Sequence, residues 1–170
     1  MINKIKNGGV CRLLAFVFVG ALASGCAGVP KPKPWNVSIV KNTSDSIRVD
    51  LIGITEDEKP AWEAYNLDTY WRDGGDTDLH RKDADPLTQV LKMGQPWVVS
   101  ANDPKWKQWL DRGDTELLVI ADIPGTFDPG PADLRRRFLP LAPVWDAKNN
   151  TLEIEVKRTE VQVDTPRNAK

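Results

Sequence analysis

Histidine and cysteine are nearly absent from this chain of 170 residues. His80 is the sole histidine, and the two cysteines, Cys11 and Cys26, both lie close to the N-terminus. The body of the protein therefore has no disulfide, no thiolate metal site and no pair of imidazoles. His80 falls in the charged stretch 72–85 and reads as a solvated side chain rather than a catalytic base. There is no GxSxG motif and no Gly-rich phosphate cradle. Asp73-Gly74-Gly75-Asp76-Thr77-Asp78 is acidic, but it lacks the spacing and closing glutamate of a calcium loop and reads as a solvated loop. The acids are scattered and single out no carboxylate pair. Catalytic residues, a metal and a cofactor are accordingly not expected, and the chain reads as a non-enzyme. Positive charge is also lacking. Lys plus Arg is 23 against 24 for Asp plus Glu, a poor balance for coating nucleic acid. Finally, no apolar run reaches the roughly 20 residues of a membrane-spanning helix.

What is present begins at the N-terminus. Met1–Arg12 is polar and basic, with Lys4, Lys6 and Arg12 and no acid. Leu13–Ala23 (LLAFVFVGALA) is an unbroken run of apolar and small residues, of the length of a secretory signal core. Ala23-Ser24-Gly25-Cys26 follows and resembles a bacterial lipobox, with Ala23 where leucine is commonest. That resemblance implies cleavage before Cys26, a diacylglycerol on its thiol and an acyl chain such as palmitate on its amine. The alternative is a plain signal peptide cut near Ala23, leaving Cys26 a free thiol. Ala27, where some lipoproteins carry a retaining aspartate, implies sorting to the outer membrane. Gly28–Pro34 (GVPKPKP) holds three prolines in seven residues and reads as an extended tether.

The body reads mainly as strands. Trp35–Lys41 alternates, with Trp35, Val37 and Ile39 on one face; Ser46–Ile54 alternates again. The polar cluster Asn42-Thr43-Ser44-Asp45 joins them, which predicts a hairpin. Pro60–Trp71 changes to helical spacing and predicts one or two short helices. Pro86–Met93 predicts a short helix capped by Asp85 and closed by Gly94. Gln95–Ser100 predicts a brief strand. Pro104–Asp111 predicts a helix capped by Asp103, ended by Gly113, with Trp106, Trp109 and Leu110 on one face.

Thr115–Asp122 (TELLVIAD) is an apolar, β-branched run of strand length and predicts a central strand covered on both faces. Pro124–Asp133 must be a loop. Leu134–Leu141 predicts a strand whose end Pro140 places at an edge or a bulge. Thr151–Val163 alternates with a change of parity after Val156, which predicts a bulge or bend. Such a series of strands with one helical excursion predicts a β-sandwich.

Two compositional features bear on binding. The seven tryptophans read best as core, since Trp62, Trp106 and Trp109 fall on apolar faces; the alternative is exposed platforms that stack on cell-wall sugar. Arg135-Arg136-Arg137 reads either as a solvated edge or as a surface for an acidic partner.

The order of these features resembles the TssJ family, the outer-membrane lipoproteins of type VI secretion systems. Ile47-Arg48-Val49-Asp50-Leu51 followed by Tyr70-Trp71 is similar to its second strand and aromatic helix. Leu117–Asp122 (LLVIAD) is similar to a later strand. Arg136–Leu141, Trp145 and Thr151–Val156 are similar to its C-terminal run. The resemblance covers most of residues 35–163. It implies a transthyretin-like β-sandwich, and docking of the loop between the first two strands on the inner-membrane component TssM.

That loop is short here, about Lys41–Asp45, and the 124–133 loop is longer and richer in proline than the resemblance implies. The expected organisation is a signal peptide at 1–25, lipidated Cys26 and tether at 26–34, a β-sandwich at 35–163 with a helical insertion around 58–111, and a flexible tail at 164–170. The expected role is a lipid-anchored tether on the periplasmic side of the outer membrane, with Asn42, Thr43, Ser44 and Asp45 contacting a TssM-like partner. The alternative is a lipoprotein that binds a cell-wall glycan through exposed aromatics.

Overall fold

The computed structural model describes residues 30–72 and 81–169. Among them are eight strands: β1 Asn36–Lys41, β2 Ile47–Ile54, β3 Leu87–Leu91, β4 Trp97–Val99, β5 Glu116–Ala121, β6 Arg136–Pro140, β7 Thr151–Val156 and β8 Val161–Val163. Helices α1 Lys59–Ala64 and α2 Leu67–Tyr70 follow β2, and α3 Pro104–Arg112 follows β4. The strands form two four-stranded sheets, ordered β4-β1-β7-β8 and β3-β2-β5-β6. The fold is the expected β-sandwich.

Alternation builds the core. Val37 and Ile39 of β1 and Leu152, Ile154 and Val156 of β7 turn inward from the first sheet. Ile47, Val49 and Leu51 of β2 and Leu117, Val119 and Ala121 of β5 meet them from the second. β1 and β7 run parallel, with Asn36 opposite Thr151 and Lys41 opposite Val156. β5 lies between β2 and β6 and is buried on both faces, as its apolar run predicts. Its outer face, with Ile52 and Ile54 of β2, is covered by Trp62, Leu67 and Tyr70 of α1 and α2. Helix α3 is capped by Asp103, whose Oδ1 accepts from Lys105 N at 2.8 Å, and ends at left-handed Gly113. Pro140 closes β6 at the edge of its sheet.

Four expectations are corrected. β1 and β2 do not pair as a hairpin; they lie in different sheets, and residues 42–46 carry the chain across the core. Both strands have an apolar inner face, and stacking buries both where pairing would leave them side by side. Pro86–Met93 is not a helix: Leu87–Leu91 is β3, paired antiparallel with β2 from Ile47↔Leu91 to Leu51↔Leu87. Gly94, at φ +73°, serves the turn Lys92–Gln95 instead of capping a helix. The parity change after Val156 is a tight turn, with Lys157 N bonded to Glu160 O at 2.8 Å and β8 folded back on β7. The tail expected to be flexible is tied down. Thr165 Oγ1 accepts from Glu153 N at 2.7 Å, and Asn168 N donates to Val144 O at 2.8 Å.

Candidate docking site

The Asn42–Asp45 loop takes its shape from the residue before it. The parity that turns Val37 and Ile39 inward also turns Lys41 inward, and Lys41 is only 6% exposed. A buried ammonium must find acceptors. Lys41 Nζ donates to Thr43 O at 2.7 Å and to Asp45 O, while Asn42 N donates to Val156 O at 3.2 Å. The main chain is stapled from beneath, and Asn42, Ser44 and Asp45 project into solvent. Thr43 is half-buried.

This loop lies at the pole of the sandwich opposite the tether. β1, β3, β5 and β7 end at that pole and β2, β4, β6 and β8 begin there. The turns 92–95 and 157–160 and the proline-rich loop 122–135 share it. At the other end the last tether residues are strapped to the domain. Lys33 N donates to Leu141 O at 3.1 Å and Lys33 Nζ to Asn150 Oδ1 at 2.6 Å. Asn150 Nδ2 reaches Pro34 O at 3.2 Å, and Trp35 Nε1 donates to Leu141 O at 3.0 Å. One strand, β1, thus joins the two poles, about 20 Å apart at ~3.3 Å per residue.

Loop 122–135 is held rigidly. Arg135 and Arg136 are 5% and 3% exposed, which corrects the expectation of a solvated or partner-facing arginine run. Arg135 makes a bidentate pair with buried Asp133 and a second pair with Asp68 at 2.7 Å, with its guanidinium 4.5 Å from the Phe127 ring. Arg136 donates to the carbonyls of Trp62, Tyr65 and Gly130. Burial pushes the Arg136 guanidinium below its ordinary pKa, with Asp133 opposing the shift. Arg137 alone of the three is half-buried, paired with Glu160 at 3.2 Å.

The buried carboxylates among the described residues are Asp50, Asp114 and Asp133, and each faces an arginine. Asp50 is the most densely bonded. It accepts from Tyr70 Oη at 2.8 Å, Thr88 Oγ1 at 2.6 Å, Arg81 Nε at 2.6 Å and Arg81 Nη2 at 3.0 Å. Burial, and then the Asp50 charge, push the Tyr70 phenol far above the ordinary tyrosine range. A carboxylate with its lone pairs so occupied is a fastener for the α2 layer, with no free oxygen to act as a base.

The tryptophans pack inward. Trp35, Trp62, Trp106, Trp109 and Trp145 are buried, and Trp71 and Trp97 are half-buried. The Trp71 ring is flanked by the Arg48 and Arg81 guanidiniums, at 4.6 and 5.2 Å. The expected signal segment 1–25, Cys26, His80 and the acidic run Asp73–Asp78 lie outside the described residues. Two signals were missed in the sequence: the inward parity of Lys41, which was legible, and the burial of Arg135 and Arg136, which was not.

No protein-family model matches the sequence, and no curated protein matches it. Solved structures do. The fold is shared with a chain of a type VI membrane complex, at 13% identity and a TM-score of 0.54, over 78% of this chain and 98% of that one. The T6SS lipoprotein TssJ1 of Pseudomonas aeruginosa is similar at 10% identity and a TM-score of 0.48, over 81% and 99% of the two chains. Lip of Serratia marcescens, a membrane-bound component of the type VI secretion system, is similar at 14% identity and 0.46, over 76% and 97%. At these identities the likeness to the first is one of fold.

Proposed function

We propose that this protein is a lipid-anchored, non-enzymatic envelope component that tethers a type VI secretion-like membrane complex to the outer membrane from the periplasmic side. Cys26 carries the lipids, residues 27–32 span from the lipid surface to the strapped segment, and Asn42–Asp45 meets a TssM-like inner-membrane partner. The observation that carries the reading is the placement of tether and loop at the two ends of β1. A domain anchored at one pole presents the other pole away from the lipid. The shared fold with a type VI membrane complex chain supports the same reading. Two or more acyl chains on Cys26 suit stable anchoring, at about 0.8 kcal/mol for each buried methylene.

The test is capture of partners by the detergent-solubilised full chain from its own organism, followed by mass spectrometry. Recovery of a TssM-like inner-membrane protein, lost when Asn42–Asp45 is replaced by a Gly-Ser segment, supports the reading. Retention on peptidoglycan with no protein partner overturns it.

A further inference from the structure

Lys31, Lys33 and Arg167 pair with no carboxylate among the described residues, unlike the cations that brace the domain, such as Arg81, Arg112 and Arg135. All three lie where the tether meets the domain. Lys33 Nζ stands 3.9 Å from the centre of the Trp35 ring, and the Arg167 guanidinium 5.2 Å from that of Trp145. The two indoles donate to neighbouring carbonyls, Leu141 O at 3.0 Å and Pro140 O at 2.8 Å. Lys31 is exposed, two residues before Lys33. An aromatic face holds a cation in place without cancelling its charge, as a carboxylate would.

The acids of this pole lie elsewhere on it. Trp145 and Arg167 form an antiparallel bridge, so alternation turns Asp146 to the opposite side, where it lines a cavity with Lys148, Glu153 and Asp164. Helix α3 and its flanks set Lys105, Lys107 and Arg112 against Asp103, Asp111 and Asp114. The exposed corner after β2, Glu56-Asp57-Glu58, is acidic. The pole is therefore split, basic at the tether and acidic at the β2–α1 corner.

What the basic side faces follows from the length of the tether. Residues 27–32 separate Cys26 from the strapped Lys33 and span at most about 20 Å when fully extended. That is about two Debye lengths at physiological salt. An anchor on Cys26 thus keeps Lys31, Lys33 and Arg167 within reach of the lipid surface, where anionic head groups favour each cation roughly fivefold.

We propose that the tether side of this pole is a lipid-contact surface: Lys31, Lys33 and Arg167 rest on the phosphates of an anionic phospholipid membrane, and the acidic corner tilts away from it. The domain then stands on the membrane in one orientation instead of swinging on its tether. Three cations alone bind such a surface weakly; the anchor keeps them beside it. This surface deepens the lipid-anchor reading and rests on it.

The test reconstitutes the detergent-solubilised full chain, made in its own organism, into vesicles with a quencher on the head groups. One set is equimolar phosphatidylglycerol and phosphatidylethanolamine; the other is phosphatidylcholine. A fluorescent amino acid replaces Pro143, whose carbonyl accepts from Asn168 Nδ2 beside Arg167, or Asp57 in the acidic corner, or Asp45 at the far pole. In anionic vesicles quenching is expected to be strongest at Pro143, weaker at Asp57 and absent at Asp45. In phosphatidylcholine, or at about 1 M salt where the Debye length falls to about 3 Å, Pro143 and Asp57 become equal. Lys31→Gln and Arg167→Gln each lower the Pro143 preference about fivefold. Lys31→Gln, at an exposed position, leaves melting unchanged and carries the test if Arg167→Gln loosens the tail. Equal quenching at Pro143 and Asp57 in anionic vesicles, a Pro143 preference that persists in phosphatidylcholine, or one unmoved by Lys31→Gln overturns the surface. With flotation on phosphatidylcholine intact, the anchor reading then still stands. Flotation on anionic vesicles alone, with Pro143 quenched, keeps the surface and overturns the anchor. Flotation on neither overturns both.

Discussion

Gly53 on β2 and Asp114 beside α3 are in contact where no side chain fits between them. A Cβ at position 53 would stand 2.3 Å from Asp114 Oδ2 and 2.4 Å from the Trp109 ring. Asp114 cannot withdraw, because Arg112 grips it at 2.7 and 2.9 Å and also donates to Gly53 O at 2.6 Å. Gly53→Ala is therefore expected to cost about 3 kcal/mol, the upper range for overpacking a rigid site. Urea unfolding of the two proteins measures it. A loss near zero means that α3 shifts freely on β2.

Tyr70 ties stability to alkaline pH. Its folded pKa lies above the unfolded value of 10.0, so the folded state keeps a proton that the unfolded state releases. The stabilisation is whole below pH 10 and is lost as pH rises past that value, by up to about 1.4 kcal/mol per pH unit. Tyr70→Phe removes this slope, and also costs about 1 kcal/mol at neutral pH for the lost bond to Asp50. Parallel curves for the two proteins between pH 9 and 11 would count against the burial of that phenol.

Lys41 shapes the Asn42–Asp45 loop from beneath, and in the proposed complex it would not face the partner. Lys41→Met takes the donor from the carbonyls of Thr43 and Asp45 and is expected to cost about 1–2 kcal/mol of stability. Capture of the inner-membrane partner should weaken more than that, about tenfold or greater, because the loop must be reordered on binding. Equal capture by both proteins would mean that loop shape is not what the partner reads.

Cys26→Ser tests the anchor alone. The variant is expected to move from the membrane fraction to the soluble periplasmic fraction, with the melting temperature of its folded domain unchanged. Persistence in the membrane fraction would require an attachment other than lipid on Cys26.

Much of the sandwich was legible because β1 and β7 alternate and β5 is a continuous apolar run. β5 read as buried on both faces from TELLVIAD, and α3 from Asp103, Pro104 and Gly113 at its ends. Partners of strands were not legible: β1 and β2 show the same alternation whether they pair or stack, and stacking won because both inner faces needed covering. β3 fell to its neighbours. PLTQVLKM between Asp85 and Gly94 carries good helix punctuation, but pairing with β2 supplied a full ladder that outweighed it. The Asn42–Asp45 loop was visible as a polar cluster, and Lys41 could have been placed beneath it by parity. Arg135 and Arg136 gave no warning, since a run of three arginines suggests solvent and their acceptors come from residues up to 74 positions away.

The placement of tether and loop on one strand has a mechanical consequence. In the proposed tether, any pull between membrane and partner runs along the axis of β1. That strand is central, bonded to β7 over all six residues and to β4 over three. Force along the axis loads these bonds together in shear, whereas force across an edge strand would open them one after another. The parallel pairing of β1 with β7 thus grips the load-bearing strand along its whole length.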